Sequence, residues 1–116
     1  MALSQDYLEY VKDQLGSAGT VTIRKMFGGA GVYLDGVIFG LIAADTLYLK
    51  VDDSNRPDFE ACGMGPFMPF EDEPYAMQYY EVPADVLEDS EELVLWARKA
   101  VEVSLRKKIG KKKKRR

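Results

Sequence analysis

The sequence predicts a two-layer α+β domain, an antiparallel sheet with helices against one face, and three observations carry that prediction. The apolar period changes from three-four to two after Thr20. Asp35-Gly36 is a strong two-residue hairpin signal between two strand-like runs. The runs follow one another so closely that no crossover helix fits between them, which counts against a parallel nucleotide-binding sheet.

Ser4 can cap a first helix whose Leu8, Val11 and Leu15 recur on one face, and Gly16 is placed to end it. Val21 and Ile23 then alternate with Thr22 and Arg24, and residues 32–34, 37–43 and 46–51 read as further strands. The short run Ala43-Ala44-Asp45-Thr46 supplies a second tight turn. Ser54 or Asn55 caps a helix of about two turns, with Pro57 in its first turn, Phe59 as its inward anchor and Gly63 as its stop. Two strand-like pieces, residues 67–70 and 75–82, flank the acidic turn Glu71-Asp72-Glu73-Pro74, and Pro66, Pro69 and Pro74 make the first piece an edge or irregular segment.

Pro83 opens a single helical turn, and Asp89 or Ser90 caps a last helix with acids in its first turn and bases in its last. Its Leu93, Trp96, Ala97, Ala100, Val101 and Ser104 share a face that should cover the sheet. The expected order is helix, three or four strands, helix, two strands, helix. Residues 1–109 form the domain, and residues 110–116, with nothing apolar in them, are expected to be a disordered basic tail.

Composition narrows the chemistry. A chain of 116 residues is long enough for one core, burying roughly two thirds of the surface its unfolded form exposes. Cys62 is the sole cysteine and histidine is absent, so an internal disulfide, a thiolate or imidazole zinc site and every Ser-His or Cys-His nucleophile pair are excluded. The longest apolar run is far too short to cross a bilayer and no basic flank precedes an apolar segment, so a soluble, cytoplasmic protein is expected.

The net charge of −3 hides an asymmetry. All 19 acidic residues lie in residues 1–105 beside seven basic ones, a net of −12, and the other nine basic residues crowd into the last eleven positions. An acidic body with a cationic end should have a different partner at each.

Several sharper chemistries fail on spacing. Gly28, Gly29 and Gly31 could cradle a phosphate, but neither Gly-Lys-Ser/Thr nor a third glycine at Leu34 follows, and the next residues alternate as a strand. A glycine bulge or bend is the better reading. The runs Asp52-Asp53 and Glu71-Asp72-Glu73 lack the ligand rhythm of a calcium loop, so no metal and no cofactor are expected. Tyr75, Tyr79, Tyr80, Phe67 and Phe70 could stack bases only if Arg24, Lys25 and Lys50 converged beside them to offset the acidic body. Core packing with a protein-binding edge is preferred. Alternation places Tyr79 and Tyr80 on opposite faces, so one of them should be exposed as an interface ring. Trp96 and Cys62 are expected in the core.

Met26-Phe27-Gly28-Gly29, Leu47-Tyr48-Leu49-Lys50 and Met77 with Tyr79-Tyr80-Glu81 form a distinctive set. With them, the chain from about residue 5 to about residue 105 resembles the N-terminal domain of the TfoX/Sxy family, regulators associated with bacterial competence genes. The resemblance implies a fold similar to that of type III secretion chaperones. It also implies a role in transcriptional regulation beside another DNA-binding regulator, with no catalytic residues. Longer members carry a second domain with a nucleic-acid-binding look, where this chain has lysines and arginines, so it is read as a single-domain member.

The expectation is a non-enzymatic regulatory binding module. Arg24, Lys25, Tyr79 and Tyr80 are its candidates for contact with a protein partner, a DNA-binding regulator or an RNA polymerase component. Lys111, Lys112, Lys113, Lys114, Arg115 and Arg116 are its candidates for a nonspecific grip on nucleic-acid backbone. The alternative is a small chaperone-like or structural homodimer with no nucleic-acid role.

Overall fold

The structure, a computed structural model, describes residues 4–26, 29–67 and 78–114. In chain order it has α1 (Gln5–Gln14), β1 (Val21–Met26), β2 (Gly29–Leu34), β3 (Val37–Ala43), β4 (Thr46–Lys50), α2 (Arg56–Ala61), β5 (Tyr79–Glu81), α3 (Ala84–Glu88) and α4 (Ser90–Lys114). The five strands form one antiparallel sheet in the order β1-β2-β3-β4-β5, so each strand pairs with its neighbour in sequence. This is the expected α+β architecture, with four strands before α2.

Local chemistry accounts for most boundaries. Ser4 Oγ accepts a hydrogen bond from the Tyr7 amide at 3.2 Å, which satisfies one of the unpaired donors at the start of α1. Leu8, Val11 and Leu15 are buried, as their spacing predicted. Asp35 and Gly36 both have positive φ (50° and 84°), the geometry of a type I′ hairpin turn.

Ala44 and Asp45 repeat that geometry between β3 and β4, at φ 50° and 55°. Asp45 Oδ1 accepts a hydrogen bond from the Ser4 amide at 3.0 Å and ties this turn to the start of α1. Ala44 has no such compensation, and a Cβ in the left-handed region costs about 1–2 kcal/mol. Ala44→Asn is therefore expected to stabilise the protein by about 0.5–1 kcal/mol, because asparagine tolerates this conformation and suits the position. A urea melt checks it, and an unchanged or lower midpoint counts against the assignment of strain.

The register between β2 and β3 steps at Val32/Tyr33: Val32 opposes Gly40 while Tyr33 opposes Ile38, leaving Phe39 as the extra residue of a bulge. The glycine stretch at Gly28, Gly29 and Gly31 is expected to bulge or bend: Gly29 pairs with Met26 where β2 doubles back on β1, in keeping with the bend, while the bulge lies on the facing strand. Phe39 is 1% exposed and belongs to the main core.

One face of the sheet carries the core. Val21, Ile23, Ala30, Val32, Ile42, Leu47 and Leu49 share that face by register, and Leu8 and Val11 of α1 with Leu15 at its C-cap, Phe59 of α2, Val86 of α3 and Leu93, Ala97 and Ala100 of α4 cover it. Ser104 Oγ donates to the Ile38 carbonyl at 2.6 Å, fixing α4 along β3, and Gln14 Nε2 donates to the Leu87 carbonyl at 2.8 Å, joining α1 to α3. Helical backbone continues through Gly110 to Lys114, farther than the spacing places the end of α4. Lysine is a good helix former and one glycine costs only about 1 kcal/mol, so neither residue type forces an earlier stop.

Some expectations change. Of the two strand pieces after α2, β5 is described. Its outer side pairs with residues 65–67 through a Pro66–Tyr80 bridge, the Phe67 amide on the Tyr79 carbonyl at 2.7 Å and the Glu81 amide on the Gly65 carbonyl at 3.0 Å. The rest of both pieces, with the acidic turn, lies outside the described residues. Cys62 is exposed rather than buried, because α2 ends at Ala61 and the thiol falls on the cap beyond its last turn. Trp96 is half-buried: its ring stands edge-on to Phe59 at 4.7 Å while its Nε1 donates outward to Glu92 Oε1 at 3.3 Å.

Asn55 sits at the start of α2, but its side chain makes no capping bond. Instead its Oδ1 accepts from the Asp52 amide at 2.9 Å and its Nδ2 donates to the Lys50 carbonyl at 3.0 Å, with 2% of the residue exposed. The amide closes the loop that leaves β4.

Candidate interaction surface

The residues selected from the sequence for partner contact lie at opposite ends of the sheet. Arg24 and Lys25 are on β1, one edge, and Tyr79 and Tyr80 are on β5, four strand spacings or about 19 Å away. They do not converge on one site.

At the β5 end neither tyrosine is the exposed ring that alternation suggested. Tyr79 is 6% exposed, its ring lies under Lys50 Nζ at 4.9 Å, and burial, with Tyr33 nearby, pushes its hydroxyl pKa up. Tyr80 turns to the helix side, half-buried 6.0 Å from Phe59, with its hydroxyl donating to Glu60 Oε2 at 3.3 Å. Alternation separated the faces correctly, but it did not reveal that each face is already occupied.

The face away from the helices carries rings and cations together. Arg24 lies over Tyr33 at 5.9 Å, Lys50 over Tyr79, and Tyr48 packs on Phe67 at 4.8 Å. Burial, and secondarily Glu81, raise the pKa of Tyr48. Two of the three cations considered for a base-stacking surface therefore sit beside rings, while Lys25 is on the other face. The rings themselves are at least half-buried, which leaves their flat faces to one another and to these cations.

The β1 end is built differently. The Asp35 amide bonds the Thr20 carbonyl at 3.1 Å, so in this register Thr22 and Arg24 direct their backbone groups toward β2 while Val21, Ile23 and Lys25 direct theirs outward. Beside this edge runs a groove of about 330 Å³ between α1 and β1, lined by Gln5, Leu8, Glu9, Lys12, Thr22, Ile23 and Lys25. Lys12 was not singled out from the sequence. Its signal is its place four residues after Leu8, at the border of the buried stripe.

Charges are distributed unevenly around the body. Near α2 the cations are matched: Arg56 pairs with Asp53, Lys99 with Asp58 at 3.1 Å, and Arg106 with Asp52 at 3.2 Å. Asp52 loses some solvation, which raises its pKa, yet the Ser54 hydroxyl and amide and the Arg106 guanidinium outweigh that and hold it below the usual carboxylate range. Lys12, Arg24 and Lys25 form no ion pair among the described residues.

Of the basic end, Lys111, Lys112, Lys113 and Lys114 are on the last turns of α4, and Arg115 and Arg116 lie outside the described residues. Among the described residues no group of three or more His, Cys, Asp or Glu side chains could hold a metal ion, and no helix is long and apolar enough to cross a membrane.

The chain is similar to a protein of Spirochaeta aurantia described as an uncharacterized 12.7 kDa protein in the trpE 5′ region. The two are 32% identical over 90 residues, 78% of this chain and 73% of that one. The family model described as the TfoX N-terminal domain matches residues 13–104, a stretch that runs from the end of α1 through all five strands to the part of α4 that covers the sheet. With most of the chain inside that match, the protein belongs to the TfoX N-terminal domain family, which is associated with competence regulation.

Proposed function

We propose that the protein is a non-enzymatic regulatory module that acts in transcription by contacting a protein partner, a DNA-binding regulator or an RNA polymerase component. Its basic end adds nucleic-acid affinity without sequence preference. The observation that supports this reading is the charge separation: nine of sixteen basic residues lie in residues 106–116, against a net of −12 over the rest. Among the residues of α4 whose burial is described, Val103 is the last buried one, and from there to Lys114 the helix rises about 16 Å. A polyanion repelled by the acidic body can approach this end.

The test compares the chain with a variant in which residues 111–116 are all glutamine, binding a short DNA duplex over a range of salt. With about six to eight phosphate contacts, the parent should lose affinity with a log-log slope of about −5 to −7, and the variant should show a much shallower slope. Equal, salt-insensitive binding by the two chains would remove the nucleic-acid part of the reading.

A second reading, the chaperone-like homodimer, is favoured by one observation, the outer edge of β1, which no strand pairs with among the described residues. Sedimentation of dilute protein separates the two: a tight dimer without salt-dependent DNA binding replaces the regulatory module, and a monomer with such binding retains it.

A further inference from the structure

We infer that the outer edge of β1, with the groove beside it, docks an extended acidic segment of the protein partner as a sixth strand of the sheet. The inference rests on the protein-partner half of the proposed function and supplies the chemistry of that partner.

The two edges of the sheet are not equivalent. Beyond β5, residues 65–67 pair with it and Pro66 lies in that outer position, where a missing N–H prevents the ladder from continuing. Beyond β1, no backbone pairs with it among the described residues, and Val21, Ile23 and Lys25 point their N–H and C=O groups outward in the spacing a new strand needs. The groove continues this edge on the helix side and offers Leu8 and Ile23 as apolar floor, with Lys12 and Lys25 at its rim. A strand laid along β1 would place alternate side chains over that floor.

Charge selects the occupant. Lys12, Arg24 and Lys25 are three of only seven basic residues in an acidic body, and all three gather at this edge without an ion pair among the described residues. A second copy pairing antiparallel through β1 would bring Arg24 and Lys25 of both chains together, which like-charge repulsion opposes. An acidic strand meets Lys25 and Lys12 on the groove side and Arg24 on the other face. Glu9, the one acid among the described residues lining the groove, is engaged by Gln5 Nε2 at 3.4 Å.

The experiment titrates the full chain into a short fluorescein-labelled peptide of valine, threonine and glutamate that carries glutamates on both faces of the strand and a central valine on the groove side, followed by anisotropy. Saturable binding is expected, weakened about tenfold or more by Arg24→Glu with Lys25→Glu, and lost when the peptide is N-methylated at alternate residues so that it cannot pair. Lys25→Pro removes an outward N–H without touching the ladder to β2 and should weaken binding beyond Lys25→Gln. Should that variant fail to fold, the N-methylated peptide against the parent chain answers the same question.

Absent saturable binding, equal binding of the N-methylated peptide, or indifference to the charge reversal overturns the inference. Dimerisation of the chain that the reversal changes assigns the edge to a second copy and also overturns it. The salt-dependent DNA binding is read on residues 111–116, so its persistence while peptide binding fails removes this inference alone.

Discussion

Replacing Asn55 with alanine should destabilise the protein by about 2–4 kcal/mol, seen as a fall in the urea midpoint at unchanged slope. The side chain is 2% exposed and both ends of its amide are used, one by the Asp52 amide and one by the Lys50 carbonyl. Alanine leaves a donor and an acceptor without partners at the point where β4 turns toward α2, and each such group costs about 1–3 kcal/mol when buried. A loss below about 0.5 kcal/mol would show that water replaces the amide at no cost.

Asn55→Asp separates the two halves of the contact. The carboxylate can still accept from Asp52, but it faces the Lys50 carbonyl with no proton to donate. Burial raises the folded pKa of such a group above its unfolded value of about 3.9. The protonated form is therefore favoured in the folded state, and the stability it contributes is complete below the unfolded pKa and lost as pH rises through the folded one. The aspartate variant should approach the parent near pH 3 and fall behind it as the pH is raised. A deficit independent of pH would mean that the site does not bury the charge.

Gly40→Ala should cost about 1–3 kcal/mol and Gly40→Val more. A Cβ at Gly40 would lie 3.0 Å from the Tyr48 carbonyl oxygen and 3.3 Å from Leu49 Cδ2, both on β4, the strand that Gly40 pairs with. The carbonyl belongs to the ladder and cannot step aside. The added methyl must therefore spread β3 from β4 or shift the bulge at Phe39. Gly16→Ala is the matched control, since a Cβ there meets nothing within 4 Å, and it should stay within about 0.5 kcal/mol of the parent. Equal effects at the two positions would sink the close-approach argument.

These two sites also mark where the sequence became hard to interpret. Helix α1 and both tight hairpins were legible because their determinants are local: a cap at Ser4, the spacing of Leu8, Val11 and Leu15, and the turn residues at 35–36 and 44–45. By sequence either Ser54 or Asn55 fits a helix cap, because an asparagine can cap a helix or brace a loop, and only the return of the chain past Lys50 decides between the two jobs. Gly40 and the bulge at Phe39 are set by β2 and β4 on either side, which no single-strand pattern encodes.

The exposure of Cys62 and the cover on Tyr79 likewise depend on where α2 stops and on what lies across the sheet. At the candidate site, Arg24 and Lys25 were found by their rarity on an acidic body. Their separation onto two faces followed from alternation, whereas Lys12 and the groove required the packing of α1 on β1.

The strictly sequential order of the sheet has a consequence for how the chain is made. Every hairpin from β1 to β4 joins neighbours in the order of synthesis, so these pairings have low contact order and can close early. Their cover is another matter: α4 carries Leu93, Ala97, Ala100 and the Ser104 bond to β3, and it is translated after all five strands. Until that helix clears the ribosome, the nascent sheet holds Phe39, Ile42 and Leu47 open to solvent, a window in which a chaperone competes with completion of the fold.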